Sequence, residues 1–160
     1  MPVLSVRDAL LDYDVTGESG PIVVQLHGLT SCRERDTALG LNLARALGGH
    51  RIVRYDARGH GRSSGTADEA SYSWPALAGD LLALLDTLSP DAPVHGVGTS
   101  MGSATLLHAA VRAPKRFASL TLAVPPTAWE TRRAKAEAYR ANADLVQREG
   151  VQAFVDLGGE

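Results

Sequence analysis

The sequence predicts an α/β fold: a mostly parallel sheet with helices on both faces. Short apolar runs recur along the chain, at Ile22–Leu26, Arg51–Asp56, Pro93–Gly98 and Phe117–Val124. Between them lie segments with helical periodicity, long enough for the crossovers that parallel strands require. Glycine and proline clusters separate the two kinds of segment, as in βα units.

Taken in order, Leu11, Tyr13 and Val15 alternate with Leu10, Asp12 and Asp14. That period of two predicts a strand with one wet face, placed at a sheet edge. Thr16–Pro21 is a turn cluster, and Ile22–Leu26 is apolar enough to be buried on both faces. Asp36 is the predicted cap of a helix whose stripe is Leu39, Leu43, Ala46 and Leu47, stopped by Gly48-Gly49. After the strand at Arg51–Asp56 comes a tight loop, Ala57–Gly65. Ser73 with Trp74-Pro75 opens a helix with an apolar face at Leu77, Leu81, Leu84, Leu85 and Leu88. From Met101 to Ala113, Ala104, Leu107 and Val111 repeat at helical spacing. The strand Phe117–Val124 closes at Pro125-Pro126, and from Trp129 to Glu149 the composition turns to alanine, arginine and glutamate. That last stretch predicts a polar amphipathic helix outside the layered pattern.

At 160 residues, the chain has room for one domain with a real core. Its apolar fraction of 44% and charged fraction of 21% are ordinary for a soluble protein. A formal charge of -2 gives no indication of nucleic acid or an anionic membrane as partner. Cys32, the single cysteine, excludes an internal disulfide and fits a reducing compartment. The N-terminus lacks a basic region followed by a long apolar one, and no apolar run is long enough to span a bilayer. A cytoplasmic location is the expectation.

The chemistry concentrates at Gly98-Thr99-Ser100-Met101-Gly102. A G-x-S-x-G match arises by chance in about one chain in ten of this composition. Here, however, it follows a predicted strand and precedes a predicted helix, as a nucleophile elbow must. So sharp a turn forces Cβ atoms together, which explains the small residues two before and two after the serine. The helix start also aims its free N–H groups at the serine. Acyl transfer needs two donors around its oxyanion. The amide of Met101 is one candidate; the amide of Leu29, in a loop given freedom to bend by Gly28, is the other. His27, Gly28 and Thr99 flank these donors and are assigned to the substrate-binding surface. No Cys/His/Asp cluster has metal-ligand spacing, and no metal or other cofactor is expected.

Three stretches, Tyr13–Ser31, Arg51–Gly65 and Val94–Thr105, together resemble successive landmarks of the α/β-hydrolase superfamily. The resemblance is nearest to its small-molecule esterases, enol-lactonases, carbon–carbon bond hydrolases and perhydrolases. It implies Ser100 as nucleophile, Leu29 and Met101 as oxyanion donors, and a small ester, lactone or related carbonyl compound as substrate. Dehalogenase and epoxide-hydrolase members place aspartate at the elbow, so Ser100 points away from those activities. Thr99 stands where many relatives carry histidine, and Ser103 replaces a common second glycine; neither removes a catalytic atom.

The resemblance also implies the triad order Ser, Asp or Glu, His, which places the acid and histidine beyond Glu160. On this reading residues 1–126 are the N-terminal part of the core, residues 127–160 begin the cap, and the sheet stops after about six strands. His108 is about 12 Å along its helix from the serine and cannot reach back. His50 is expected at the far end of the sheet, His95 in a satisfied strand position, and His60 as a brace of its own loop. His27 is nearest to the serine; the readings are a hydrogen bond that holds the oxyanion loop, or direct base chemistry. Asp56 is expected to fix its own loop, pairing with Arg58, while Asp80 and Asp86 are read as solvated helix residues. Glu130 is a weak candidate acid, and Cys32, near Arg33 and Arg35, a weak candidate nucleophile. Phe117–Val124 would be an open apolar edge, available for self-association or a partner chain. The competing reading is an inactive fragment or interaction module of the same origin.

Overall fold

A computed structural model describes residues 2–126 and 129–158. Six strands form one sheet: β1 (Val3–Val6), β2 (Ala9–Thr16), β3 (Ile22–Leu26), β4 (Arg51–Tyr55), β5 (Val94–Thr99) and β6 (Phe117–Ala123). Their order is β1-β2-β4-β3-β5-β6. The pairs β3–β4, β3–β5 and β5–β6 are parallel; β1–β2 and β2–β4 are antiparallel. The sheet is therefore mostly parallel, with an antiparallel flank.

Helices α1 (Arg33–Ala38), α2 (Trp74–Leu88) and α3 (Met101–Arg112) make the crossovers. Every residue of β3 is buried, as a central strand requires, and its polar member Gln25 is satisfied by the backbone of Leu41 and Leu43. Leu81, Leu84 and Leu85 of α2 are fully buried, so the predicted stripe is the packed face.

Several expectations are corrected. β2 is an interior strand, because Val3–Val6, too short to show periodicity, pairs along its outer side. Asp36 lies inside α1 and is no cap; its carboxylate accepts the Ser31 hydroxyl at 2.6 Å. The long helix through Leu47 is absent: α1 stops at Ala38, Gly40 follows with φ 76°, and only a single 3-10 turn covers Leu43–Arg45. On α3 the buried positions are Met101, Gly102, Ser103, Ala104, Thr105, Leu106 and Ala109, so Ala104 of the expected stripe is buried, whereas Leu107 is 42% and Val111 86% exposed. Apart from Met101 and Leu106 these buried residues are small, and at Gly102 the helix lies so close to the sheet that a Cβ would be 2.6 Å from Leu26 O.

Buried charge also departs from expectation. Arg58 does not pair with Asp56. Its guanidinium holds Asp80 through two bonds of 2.7 Å and Asp8 through a third of 2.7 Å. Asp80 is buried on the α2 stripe, three residues after Leu77 and four before Leu84. Ser71 adds a bond of 2.7 Å to Asp8. One arginine thus ties the β1–β2 turn, the loop after β4 and α2 together. Asp86, by contrast, is exposed and pairs with Arg116 at 3.2 Å, in line with a solvated position.

The chain divides into two compact units, Met1–Pro125 and Pro126–Glu160. In the second, the single predicted helix is broken in two, α4 (Trp129–Ala134) and α5 (Ala136–Glu149), and α6 (Val151–Leu157) follows Gly150, whose φ is 87°. Thr127, Ala128, Gly159 and Glu160 of the expected cap lie outside the described residues. No described helix is long and apolar enough to cross a membrane.

Removing one partner of a buried ion pair strands the other in low dielectric. Asp80→Ala is expected to lower unfolding free energy by about 3 kcal/mol, read as a shifted denaturant midpoint. Asp86→Ala is expected to be nearly silent.

Candidate active site

The site is built on the ends of β3 and β5. Ser100 sits between β5 and α3 with φ 49° and ψ -106°, a conformation that residues other than glycine rarely adopt. Its amide donates to Ala123 O at 2.9 Å, which anchors the turn to the end of β6. Ser103, the departure noted in the sequence, is fully buried, with its hydroxyl 2.7 Å from Gly98 O and 3.0 Å from Ala123 O. It links the end of β5 to the end of β6.

The flanking glycines are required by contact. A Cβ on Gly98 would lie 2.5 Å from the carbonyl carbon of Gly102, and one on Gly102 would lie 2.6 Å from Leu26 O. The first turn of α3 is therefore pressed against β3, which brings the loop that begins at Gly28 alongside the serine. Gly28 is adjacent: a Cβ there would be 3.6 Å from Thr99 O and 3.7 Å from Ser100 Cβ.

The loop itself is a tight turn closed by Ser31 N–H to Gly28 O at 3.2 Å. Its positive φ belongs to Thr30, at 62°, so Thr30 makes the bend that was expected of Gly28. Leu29 holds the second position of this turn, where the amide has no partner within the turn. Its side chain is half exposed. On the other side, Ser100 O accepts from Ala104 N–H at 3.2 Å, and the Met101 amide belongs to the unpaired first turn of α3.

His27 is buried, and both ring nitrogens are engaged. Nδ1 lies 2.8 Å from Gly28 O, and Nε2 accepts the Ala57 amide at 3.0 Å. A carbonyl only accepts and an amide only donates, so these partners fix a neutral ring with its proton on Nδ1. Burial is the largest influence on this imidazole and holds its pKa below the ordinary 6.5; the Gly28 bond opposes that, and His60 adds to it.

Asp56 follows β4 and organises the facing loop. Its carboxylate accepts the amides of Arg33 at 2.8 Å and Arg62 at 3.0 Å. The Arg33 guanidinium approaches it at 3.3 Å while also engaging Asp12 and, at 3.1 Å, Asp14. Burial works to raise the Asp56 pKa, but these donors outweigh it and keep the group below the usual carboxylate range. The carboxylate occupies the space a Cβ on Gly61 would need, 2.4 Å away, which explains the glycine in that loop.

Among the described residues no imidazole or carboxylate hydrogen-bonds the Ser100 hydroxyl. His60 bonds Arg58 O at 2.9 Å, His50 bonds Gly48 O at 3.1 Å and His95 bonds Ser119 at 2.8 Å. His108 stacks on Trp74 with ring centroids 6.1 Å apart. Glu130 is exposed on α4. Cys32 is half-buried at the start of α1, where the charge of neighbouring Arg33 is taken up by three aspartates. No group of three His, Cys, Asp or Glu among the described residues is placed to hold a metal.

The family described as alpha/beta hydrolase fold matches residues 21–146. This chain is a member of the α/β-hydrolase family. It is 37% identical over 110 residues to an epoxide hydrolase of Caballeronia sordidicola, covering 67% of this chain and 32% of that protein. Among solved structures it is similar to the enol-lactonase of Burkholderia xenovorans, at 28% identity and TM-score 0.76, covering 98% of this chain and 57% of that one. A thermophilic esterase of Thermogutta terrifontis matches at 28% identity and TM-score 0.74, covering 89% of this chain and 50% of that one. This α/β-hydrolase chain thus spans between about a third and three fifths of the length of these relatives.

Two outcomes follow from the geometry. Ser100→Gly relieves the backbone strain and is expected to raise stability by about 1 kcal/mol, measured by denaturation. Because the His27 pKa is depressed by folding, the neutral ring's contribution to stability is complete above pH 6.5. It is lost as pH falls from there through the folded-state pKa. A titration of unfolding midpoint against pH should show that loss in the wild type and lack it in His27→Gln.

Proposed function

We propose that this protein is a serine hydrolase acting on a small ester, lactone or related carbonyl compound. The observation that carries the reading is the strained Ser100 turn, with the Gly28–Ser31 turn packed beside it. In the reaction, Ser100 Oγ attacks the carbonyl carbon and gives up its proton to a base. The carbonyl oxygen becomes an oxyanion facing the amides of Met101 and Leu29. Collapse expels the alcohol, or opens the lactone, and leaves an acyl group on Ser100. Water then attacks the same carbonyl and releases the acid, restoring the serine.

The base and its carboxylate partner are assigned to polypeptide beyond Glu160, or to a partner chain, since each histidine described here is engaged elsewhere. Gly28 and Thr99 border the substrate position, while His27, enclosed and bonded at both nitrogens, supports it from behind. Helices α4–α6 are assigned to the start of a substrate cap. A serine at the elbow favours ester or lactone chemistry over that of the epoxide hydrolase relative, in whose class the resemblance places aspartate there. The hydrolase names of its relatives favour an enzyme over an inert interaction module.

A fluorophosphonate followed by peptide mapping tests the reading, in a polypeptide that runs the full length of the relatives with the triad histidine present. The adduct is expected on Ser100, and Ser100→Ala should abolish it along with activated-ester turnover. Labelling at another residue, or turnover that survives Ser100→Ala, overturns the assignment.

A further inference from the structure

His27 joins two loops that come from different strands. Its Nε2 holds the amide of Ala57, the first residue after Asp56, and its Nδ1 holds the carbonyl of Gly28. The Gly28 carbonyl and the Leu29 amide belong to one planar trans peptide, so the two groups point in opposite directions. Fixing the carbonyl oxygen therefore fixes the direction of the Leu29 N–H. The turn bond from Ser31 closes on the same Gly28 oxygen, and the Leu29 side chain is 47% exposed.

This arrangement works in one protonation state only. With a second proton, Nε2–H would face the Ala57 N–H, two donors at 3.0 Å with no acceptor between them. The adjoining cavity, lined by Leu26, Tyr55, Met101 and Thr105 among others, measures about 10 Å³, room for about one water at most. The ring must then move away from Ala57 and take the Gly28 carbonyl with it. The charged and titratable groups around it are His60, with its ring 5.1 Å away, Asp56 and Asp36. Both carboxylates are already committed, Asp56 to Arg33 and Arg62 and Asp36 to Ser31.

We propose that His27 is a positioning residue that holds the Leu29 amide toward the oxyanion only as the neutral Nδ1–H imidazole, so that proton uptake at Nε2 releases that amide and disables the site in acid. The inference rests on Leu29 being an oxyanion donor, the role assigned under the hydrolase reading. It adds a control that acts without touching Ser100 or the triad base. Burial already disfavours the protonated ring, so release sets in below pH 6.5.

The test is nitrogen-15 NMR on this chain as a function of pH. At neutral pH the His27 ring should show a protonated Nδ1 and an unprotonated Nε2. On acidification the amide resonances of Ala57 and Leu29 should shift together with the ring, with one common midpoint below 6.5. In His27→Gln, the side-chain oxygen can accept from Ala57 and the amide group can donate to Gly28, with nothing to titrate. Both amide shifts should then be flat across the same range. An Nε2–H tautomer at neutral pH overturns the proposal within the wild type alone, as does a Leu29 amide that ignores the His27 titration. Equal shifts in His27→Gln would assign the effect to another group and overturn it as well. Fluorophosphonate labelling separates this result from the hydrolase reading. Failure to label Ser100 with the amides titrating as expected removes the hydrolase assignment and leaves the coupling of the two loops. Successful labelling with a static Leu29 amide removes the coupling alone.

Discussion

The closeness of the first turn of α3 to the ends of β3 and β5 is the constraint from which the site follows. Gly98 and Gly102 allow the helix to start where any Cβ would collide with Gly102 or with Leu26. The chain must reverse there within one residue, and that residue, Ser100, takes φ 49° as a consequence. The strain is held in place by bonds on every side: the Ser100 amide to Ala123, its carbonyl to Ala104, and Ser103 to Gly98. A serine so placed projects from the sheet end with the Met101 amide beside it. The same proximity brings the Gly28–Ser31 turn to the other side of Ser100.

Two arginines fix the loops around that turn. Arg33 gathers Asp12, Asp14 and Asp56, and Arg58 gathers Asp8 and Asp80. Buried charge of this kind costs desolvation, and its replacement by apolar residues is often neutral for stability. What the pairs provide here is direction. Asp56, held by Arg33, fixes the start of the loop whose Ala57 amide meets His27. Each link passes orientation from a salt bridge to a backbone amide, then to an imidazole, and finally to the peptide of Leu29.

Parts of this were legible in the chain itself. The stripe of α2 is read correctly because its leucines recur at helical spacing and all face one core. Continuous apolar character marks β3 as central, and the glycine pattern around Ser100 marks the elbow. The failures have physical causes. Asp80 sits on the α2 stripe between Leu77 and Leu84, a position that forecasts burial, but its charge suggested solvent until Arg58 was found opposite it. Ala104, Leu107 and Val111 have the spacing of a packed face, yet the helix buries Ala104 together with Gly102, Thr105, Leu106 and Ala109 and leaves Leu107 and Val111 exposed. β1, with only four residues, carries too little pattern to announce itself, and its omission made β2 look like an edge.

The sequence by itself determined the class of fold, the elbow and the identity of the candidate nucleophile. Those depend on local sterics and periodicity, which neighbouring residues encode directly. Only the tertiary structure decided what His27 does. Gly28 is its neighbour in the chain, but Ala57 is thirty positions away, and only the parallel pairing of β3 with β4 brings the two loops together. The tautomer of the ring, the direction of the Leu29 amide and the choice of Arg33 over Arg58 for Asp56 all arise from contacts between distant segments. A hydrogen bond is set by distances of a few tenths of an ångström, and that precision comes from the packed sheet.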